Sequence, residues 1–223
     1  MAQIQHRTDR SLTTAVTAEL AWTPSVAADQ VGVVALTNGA VTLSGNVQTY
    51  PQKEAAVNAA LRVRGVTAVA DEIVVQQPAH SPTDTHIARE AGIALQRTVS
   101  VPSGCVKATV HDHVITLSGT VDWHYQREAA QRAVATLSGV SGVRNTITLK
   151  HPVVSPTEAK ATITAALVRH AQLDAQHIQA SVDGTEVILT GTVSSWAERR
   201  QAEDAAWRAP GVTHVNNQLR VTS

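Results

Sequence analysis

The residues of this sequence that could begin a metal site are His111, Asp112 and His113. Two imidazoles in alternate positions, with a carboxylate between them, supply ligand types that transition metals accept. The same residues fall where a hairpin turn is predicted, and a complete site needs further ligands that the sequence does not identify. A solvated turn is therefore the favoured interpretation, and the three residues are weak metal candidates.

Sequence motifs of catalysis are not found. The chain has no P-loop, no G-x-G-x-x-G, no H-E-x-x-H and no G-x-S-x-G,. Its single cysteine, Cys105, excludes an intramolecular disulfide and is interpreted as a structural thiol,. The sequence therefore predicts a protein that is not an enzyme.

A third set of residues could contact a membrane surface. Tryptophan and tyrosine suit an interface, because one end of the ring is apolar and the other forms hydrogen bonds. Arginines on the same helices would each add about 1 kcal/mol of attraction to an anionic surface. The candidate lipid contacts at and after the starts of three predicted helices are Tyr50, Trp123, Tyr125, Trp196, Arg62, Arg64, Arg127, Arg132, Arg199 and Arg200.

The same helices allow a simpler interpretation. Acidic residues alternate with the arginines, and i,i+4 pairs such as Glu128–Arg132 are ordinary on a helix surface,. The aromatic side chains could also close an interface between neighbouring units. Exposure of Tyr50, Trp123 and Trp196 would favour ligand binding, whereas burial would favour packing between units.

A threefold repeat positions these residues. The segment VTLSGNV at 41–47 recurs as ITLSGTV at 115–121 and as VILTGTV at 187–193. In every copy a Gly-Val motif follows at the same distance, which indicates one folded unit repeated without insertion. The predicted unit boundaries are 1–77, 78–151 and 152–223.

Each copy predicts the element order α-β-β-α-β. The first helices of units 2 and 3 begin with the capping signals Ser81-Pro82-Thr83-Asp84 and Ser155-Pro156-Thr157-Glu158,. In unit 3 the apolar spacing of that helix is carried by Ile163, Ala166 and Leu167,. Asn38-Gly39, Asp112-His113 and Asp183-Gly184 are predicted to form the hairpin turns, and the Asn-Gly and Asp-Gly pairs tolerate positive φ at both positions.

The second helix of each unit has an apolar stripe made mostly of alanine. Such a helix can approach a sheet closely, so we predict that it packs tightly over the glycine inside the second strand. A further glycine follows the helix, where positive φ ends it. The six structural glycines are Gly45, Gly119 and Gly191 in the strands, and Gly65, Gly139 and Gly211 after the helices.

The motif V-x-L-x-G-x-V, followed by the alanine-rich helix and by G-V-x-x-V-x-[DN]-x-[IL]-x-V, resembles the BON domain of bacterial osmotically inducible and nodulation proteins. This resemblance implies an α+β fold with three tandem αββαβ units, each a mixed three-stranded sheet packed against two helices. It also implies a non-enzymatic binding module, with anionic phospholipid surfaces and potassium among the family's proposed ligands, and often an envelope location.

Composition bounds the partners and the compartment. The formal charge is zero and 43% of residues are hydrophobic, so no overall basic field favours nucleic acid,. No apolar run approaches the ~18 residues of a membrane span. Arg7 and Arg10 precede a segment that contains Glu19, which favours a helix over a signal sequence,. We predict a cytoplasmic protein, or a periplasmic one if an unrecognised export signal exists.

Three functions remain open. The first is a stress-associated binding protein that engages anionic phospholipid or envelope components through the second helices. The alternative is a protein-binding scaffold or chaperone-like module, or a potassium-binding cytosolic sensor. No cofactor is predicted apart from possible potassium, and the oligomeric state is left open.

Overall fold

The computed structural model describes residues 9–77, 80–150, 177–209 and 211–221, apart from the side chain of Thr37. It contains three sheets of mixed strand direction, each combined with the helices of its own unit. The predicted α+β fold of tandem repeated units is therefore confirmed. The boundaries between the units stay a prediction.

Unit 1 shows the complete element order. Strand β1 runs antiparallel to β2, and β3 runs parallel to β2, so β2 is the central strand. Its elements are α1 (Asp9–Ala21), β1 (Val31–Ala35), β2 (Ala40–Val47), α2 (Tyr50–Arg62) and β3 (Ala68–Val75).

Unit 2 repeats this arrangement with one difference. Its last strand is divided into two short strands at Asn145, whose side chain accepts a hydrogen bond from the backbone N–H of Ile147 at 3.1 Å. Both pieces pair parallel to the central strand β5. The elements are α3 (Asp84–Arg97), β4 (Val106–His111), β5 (Val114–Val121), α4 (His124–Ala135), β6 (Gly142–Asn145) and β7 (Thr148–Leu149).

Unit 3 has the same divided last strand, with Asn217 in the place of Asn145. The predicted first helix, with its start signal at Ser155-Pro156, lies outside the described residues. The described elements are β8 (Ile178–Asp183), β9 (Glu186–Val193), α5 (Trp196–Trp207), β10 (His214–Asn217) and β11 (Arg220–Val221).

Each unit has a separate hydrophobic core. In unit 1 the alanines of α2 pack beside Leu43 and Ile73 of the sheet. The predicted stripe is fully buried in α5, whereas Val63, Ala133 and Leu137 are half-buried in the other units. Burying a Leu or Ile side chain contributes about 1.5–3 kcal/mol, so each small core stabilises its own unit.

The space beside each strand glycine is filled by the backbone at the start of the neighbouring strand and not by the second helix, so the predicted reason for the glycines was wrong. A Cβ atom on Gly119 would overlap the carbonyl oxygen of Cys105, the residue before β4. Gly45 and Gly191 make the equivalent approach to the residues before β1 and β8, and all three have φ between +126° and +134°. The close approach is therefore between the backbones of two hairpin strands, which explains the glycine through both sterics and φ.

The turns follow the prediction in two units and shift in the third. Asn38-Gly39 and Asp112-His113 form the turns at the predicted positions, and all four residues have positive φ. In unit 3, Asp183 pairs with Glu186, so the turn is centred on Gly184-Thr185 and the predicted position was one residue early. Positive φ also occurs at the three glycines that follow the second helices, Gly65, Gly139 and Gly211.

Candidate functional site

The second helices α2, α4 and α5 begin with a ring at the same repeat position: Tyr50, His124 and Trp196. Trp123 lies one residue earlier, where the other units have the capping residues Thr49 and Ser195. In α4 the side chain of Gln126 accepts from the backbone N–H groups of Asp122 and Trp123, both at 3.0 Å. The ring of Trp123 therefore takes no part in capping the helix.

These three rings lie at the three junctions between units. Tyr50 packs against the cores of both unit 1 and unit 2, and its hydroxyl donates to Glu54 at 2.9 Å. His124 of unit 2 stacks on Trp207 of unit 3, with ring centroids 4.1 Å apart and planes inclined by 5°. Trp196 of unit 3 faces Leu61 of unit 1 across a groove. The same repeat position therefore contributes a ring to each of the three junctions: between units 1 and 2, between units 2 and 3, and between units 3 and 1.

The junction of units 3 and 1 is closed by polar contact. Arg200 on α5 donates to the side-chain oxygen of Asn58 on α2 at 2.8 Å. The groove beside this contact has a volume of about 210 Å³. The guanidinium of Arg199 lies 4.8 Å from the centre of the Trp196 ring, on the side of its own unit.

The junction of units 2 and 3 is more open. A cavity of about 540 Å³ lies between α4 and α5, and we call it the aromatic groove. Trp123 and Tyr125 on its rim are 46% and 54% exposed, although both have large apolar rings. The groove is lined by Trp123, His124, Tyr125, Glu128 and Arg132 of unit 2 and by Asp204, Trp207 and Arg208 of unit 3.

Two carboxylates lie across this groove from one another. Glu128 and Asp204 occupy the repeat positions that hold Arg200 and Asn58 at the closed junction. Partial burial raises the pKa of Asp204, and the negative charge of Glu128 raises it further,. The Arg–Asn contact that closes one junction is therefore replaced at the other by two acids. Their charges are offset in part, by Arg132 beside Glu128 and by Arg208 and Arg200 near Asp204.

His124 is also affected by its position in the junction. Burial lowers the pKa of His124, and this effect is opposed by Glu128, whose carboxylate lies 3.7 Å from Nε2,. Its Nδ1 atom is buried and has no hydrogen-bond partner among the described residues. Burial in the junction thus favours the neutral form of the ring,.

Most of the predicted lipid-contacting arginines bond within the protein. Arg62 pairs with Glu19 at 2.9 Å, and Arg199 donates to the backbone carbonyls of Leu219 and Asn217. Arg132 lies 3.5 Å from Glu128, and Arg200 donates to Asn58 at the junction of units 3 and 1. Of the other two arginines, Arg64 is exposed and Arg127 is half-buried. Tyr50 and Trp196 are also half-buried, which leaves Trp123 and Tyr125 as the exposed aromatic members of the predicted set.

The histidine-containing turn of unit 2 is hydrogen-bonded to helix α3 of the same unit. The carboxylate of Asp84 on α3 accepts from the backbone N–H groups of Asp112 and His113, at 2.9 and 3.0 Å. His113 contacts the carbonyl of Gly139 at 3.1 Å, whereas His111 is exposed beside Asp112. Within the described ranges, no three His, Cys, Asp or Glu side chains are arranged to hold a metal ion.

Sequence reasoning missed His124 and Trp207. His124 could have been found by alignment of the repeats, since it occupies the position of Tyr50 and Trp196. Trp207 aligns with Leu61 and Ala135, so its apolar character was visible but its contact with another unit was not.

A known protein family matches each of the three repeated units. The family model described as the BON domain matches residues 8–77, 83–151 and 156–223. The chain belongs to the BON domain family. The three repeated units described above are therefore BON units.

A curated relative is the osmotically-inducible protein Y of Escherichia coli (strain K12), 36% identical over 115 residues. The match covers 49% of this chain and 57% of the relative, so the chain spans little more than half of the relative's length.

Two solved structures were also compared. The C-terminal domain of CdsD, a structural protein of the type III secretion system of Chlamydia trachomatis, is 15% identical over 100% of both chains, with a TM-score of 0.27. The periplasmic domain of PrgH is 12% identical over 87% of this chain and 96% of that chain, with a TM-score of 0.23. At these scores, neither likeness bears on the fold or the function.

Along the part of the chain that the structure describes, no helix combines the length and the apolar character needed to cross a membrane.

Asp204→Asn is expected to stabilise the junction of BON units 2 and 3 at pH 7. The raised pKa means that folding disfavours the charged carboxylate, so the penalty is present when Asp204 is ionised,. The penalty disappears as the pH falls through that raised pKa. Because the group is partly solvated, the gain should stay below about 1 kcal/mol. Urea denaturation at pH 7 and pH 4 measures it.

Asp183→Asn is the matched control, since Asp183 is an exposed residue at the end of β8. A gain for Asp204→Asn that is equal at both pH values, or shared by the control, would contradict the penalty assigned to the ionised Asp204 carboxylate.

Proposed function

We propose that this protein is a non-catalytic, osmotic-stress-related binding protein that takes its ligand in the aromatic groove between BON units 2 and 3. Membership of the BON domain family and similarity to the osmotically-inducible protein Y support the relation to osmotic stress. The observation that carries the binding site is the pair of exposed rings, Trp123 and Tyr125, on the rim of a cavity of about 540 Å³.

The composition of the groove is that of a recognition surface. Tryptophan, tyrosine and arginine are the residues most enriched among those that dominate binding energy at interfaces. A cavity of this volume lies within the range of known small-ligand sites, which are mainly apolar with a few polar groups. The exposed rings gain the most from a ligand, since their apolar surface is in contact with water when the groove is empty.

Contact with anionic phospholipid is one use of this surface. The exposed rings on α4 support it, because tryptophan and tyrosine favour the headgroup region,. The internal bonding of Arg62, Arg199 and Arg200 reduces the cationic contribution. We therefore propose contact through α4 rather than equally through all three second helices, with weak dependence on lipid charge.

Binding of a polypeptide segment is the second candidate. The groove presents acidic and basic side chains beside its rings, which suits a partner of mixed charge,. This use corresponds to a scaffold or chaperone-like protein. A cytoplasmic or periplasmic location, and potassium as a ligand, stay predictions.

The double variant Trp123→Ala/Tyr125→Ala tests the site. We expect it to lose binding relative to the native protein in two assays: co-sedimentation with phosphatidylcholine vesicles, with and without phosphatidylglycerol, and suppression of light scattering by reduced insulin. Removal of both rings deletes the exposed apolar surface while leaving the cap from Gln126 in place.

Trp22→Ala is the matched control, because Trp22 is 86% exposed in unit 1 and lies outside the groove. Vesicle binding lost by the double variant alone supports the lipid candidate, and scattering suppression lost by it alone supports the polypeptide candidate. If the native protein and both variants behave alike in the two assays, the groove is not the binding site.

A further inference from the structure

We propose that the aromatic groove binds a zwitterion, a molecule that carries an alkylated ammonium group and an acidic group. This inference rests on the proposed function, since it names the ligand chemistry of the same groove. The ammonium group contacts the rings and the two carboxylates, and the acidic group contacts the two arginines.

The cationic half of the ligand follows from the rings. Trp123, Tyr125 and Trp207 line one cavity, and the first two expose about half of their surface to solvent. A quaternary or alkylated ammonium group is attracted to the face of tryptophan and tyrosine, which is the main way that proteins recognise such cations. Its methyl groups also bury apolar ring surface that water otherwise covers.

The two carboxylates give a second, independent reason for a cation. At the junction of units 3 and 1, the positive charge of Arg200 bridges to Asn58 at 2.8 Å. At the aromatic groove, the same repeat positions are Glu128 and Asp204, and the pKa of Asp204 is raised partly by the charge of Glu128. Arg132 lies 3.5 Å from Glu128, and Arg208 lowers the pKa of Asp204, so each acid has an arginine near it. A ligand cation adds a positive charge between the two carboxylates, where the other junction has that of Arg200.

An organic cation suits this place better than a metal ion. Among the described residues, no three His, Cys, Asp or Glu side chains converge on one point. An ammonium group needs no such coordination shell, because rings and two carboxylates are sufficient to compensate its charge.

The anionic half of the ligand follows from the charge balance of the lining. Arg132 and Arg208 belong to the same cavity, and both are exposed. Two acids and two arginines leave the groove without net charge, so a simple cation or a simple anion would compensate only one of the pairs. A carboxylate or phosphate at the other end of the ligand contacts the arginines, which bind both groups well.

Calorimetric titration of the full chain tests this chemistry. Glycine betaine represents a free solute, phosphocholine and phosphatidylcholine vesicles represent a lipid headgroup, and 3,3-dimethylbutanoate replaces the ammonium nitrogen with carbon. We expect at least one of the zwitterions to bind about tenfold more tightly than this neutral-headed isostere. The ligand that binds more tightly identifies the source.

Two variants locate the site. Trp123→Ala is expected to weaken zwitterion binding about tenfold, and Glu128→Gln about two- to fivefold because its carboxylate is partly exposed,. Trp22→Ala and Asp183→Asn should leave binding unchanged. Equal binding of the isostere, or no binding of any zwitterion, overturns the inference. If that result occurs while Trp123→Ala/Tyr125→Ala still loses vesicle or insulin binding, the proposed function stands without this ligand.

Discussion

Gly119→Ala is expected to destabilise unit 2 by about 3 kcal/mol or more. The new Cβ atom would overlap the carbonyl oxygen of Cys105, and φ at this position is +134°. Overlap with backbone is costly because neither strand can move without breaking its ladder, in which that oxygen accepts from Thr120 at 3.2 Å,. Urea denaturation measures the loss of unfolding free energy.

Gly92→Ala is a control with the opposite expected sign. Gly92 lies within helix α3, and an added Cβ atom meets nothing within 4 Å. Alanine should stabilise this helix by about 0.5–1 kcal/mol. If the two substitutions change stability by similar amounts, the backbone approach does not explain the strand glycines.

Trp207→Ala is expected to reduce stability by about 2–4 kcal/mol, because the ring packs against the cores of both unit 2 and unit 3,. Part of this loss belongs to the stack with His124, whose ring lies 4.1 Å away. A double-mutant cycle with His124→Ala isolates that part, and the coupling should be about 0.5–1.5 kcal/mol.

The stability of the folded protein should also depend on pH through His124. Because burial lowers the pKa of His124 in the folded protein, this contribution to stability is complete above the unfolded value of about 6.5 and decreases as the pH falls below it,. Glu128 and Glu203 oppose this change, and Arg127 assists it. Trp22→Ala should show no coupling with His124→Ala. A cycle near zero would contradict the assigned role of the stack, and a native stability that does not fall more steeply below pH 6.5 than that of His124→Ala would contradict the effect of burial on His124,.

The elements of the fold could be predicted because their signals are local. Capping residues, turn pairs and the alanine stripe each act within one helix or one hairpin, and the repeat supplied three observations of each. The cause of the strand glycines could not be predicted, because it depends on the approach of a residue before the neighbouring strand. Gly119 and Cys105 are close in space only after the hairpin has formed.

The candidate site was predicted only in part, because residue type is visible in the sequence whereas contacts between distant residues are not. Trp123 and Tyr125 were identified from residue type, and the structure places both on the rim of the groove. The partners of the arginines could not be read from sequence, since Arg62 bonds Glu19 from 43 positions away and Arg200 bonds Asn58 from 142 positions away. Such distant pairs decide which charges remain available to a ligand.

The use of one helix position at all three junctions makes the chain resemble a cyclic homotrimer whose subunits have been joined by peptide linkers. Each unit offers a ring at the start of its second helix and receives one from its neighbour, which is the head-to-tail contact that closes a ring of three,. In a true homotrimer, any substitution would appear at every contact. In a single fused chain each unit can change independently. One junction can therefore acquire acids and an exposed tryptophan while the other two junctions still keep the three units together.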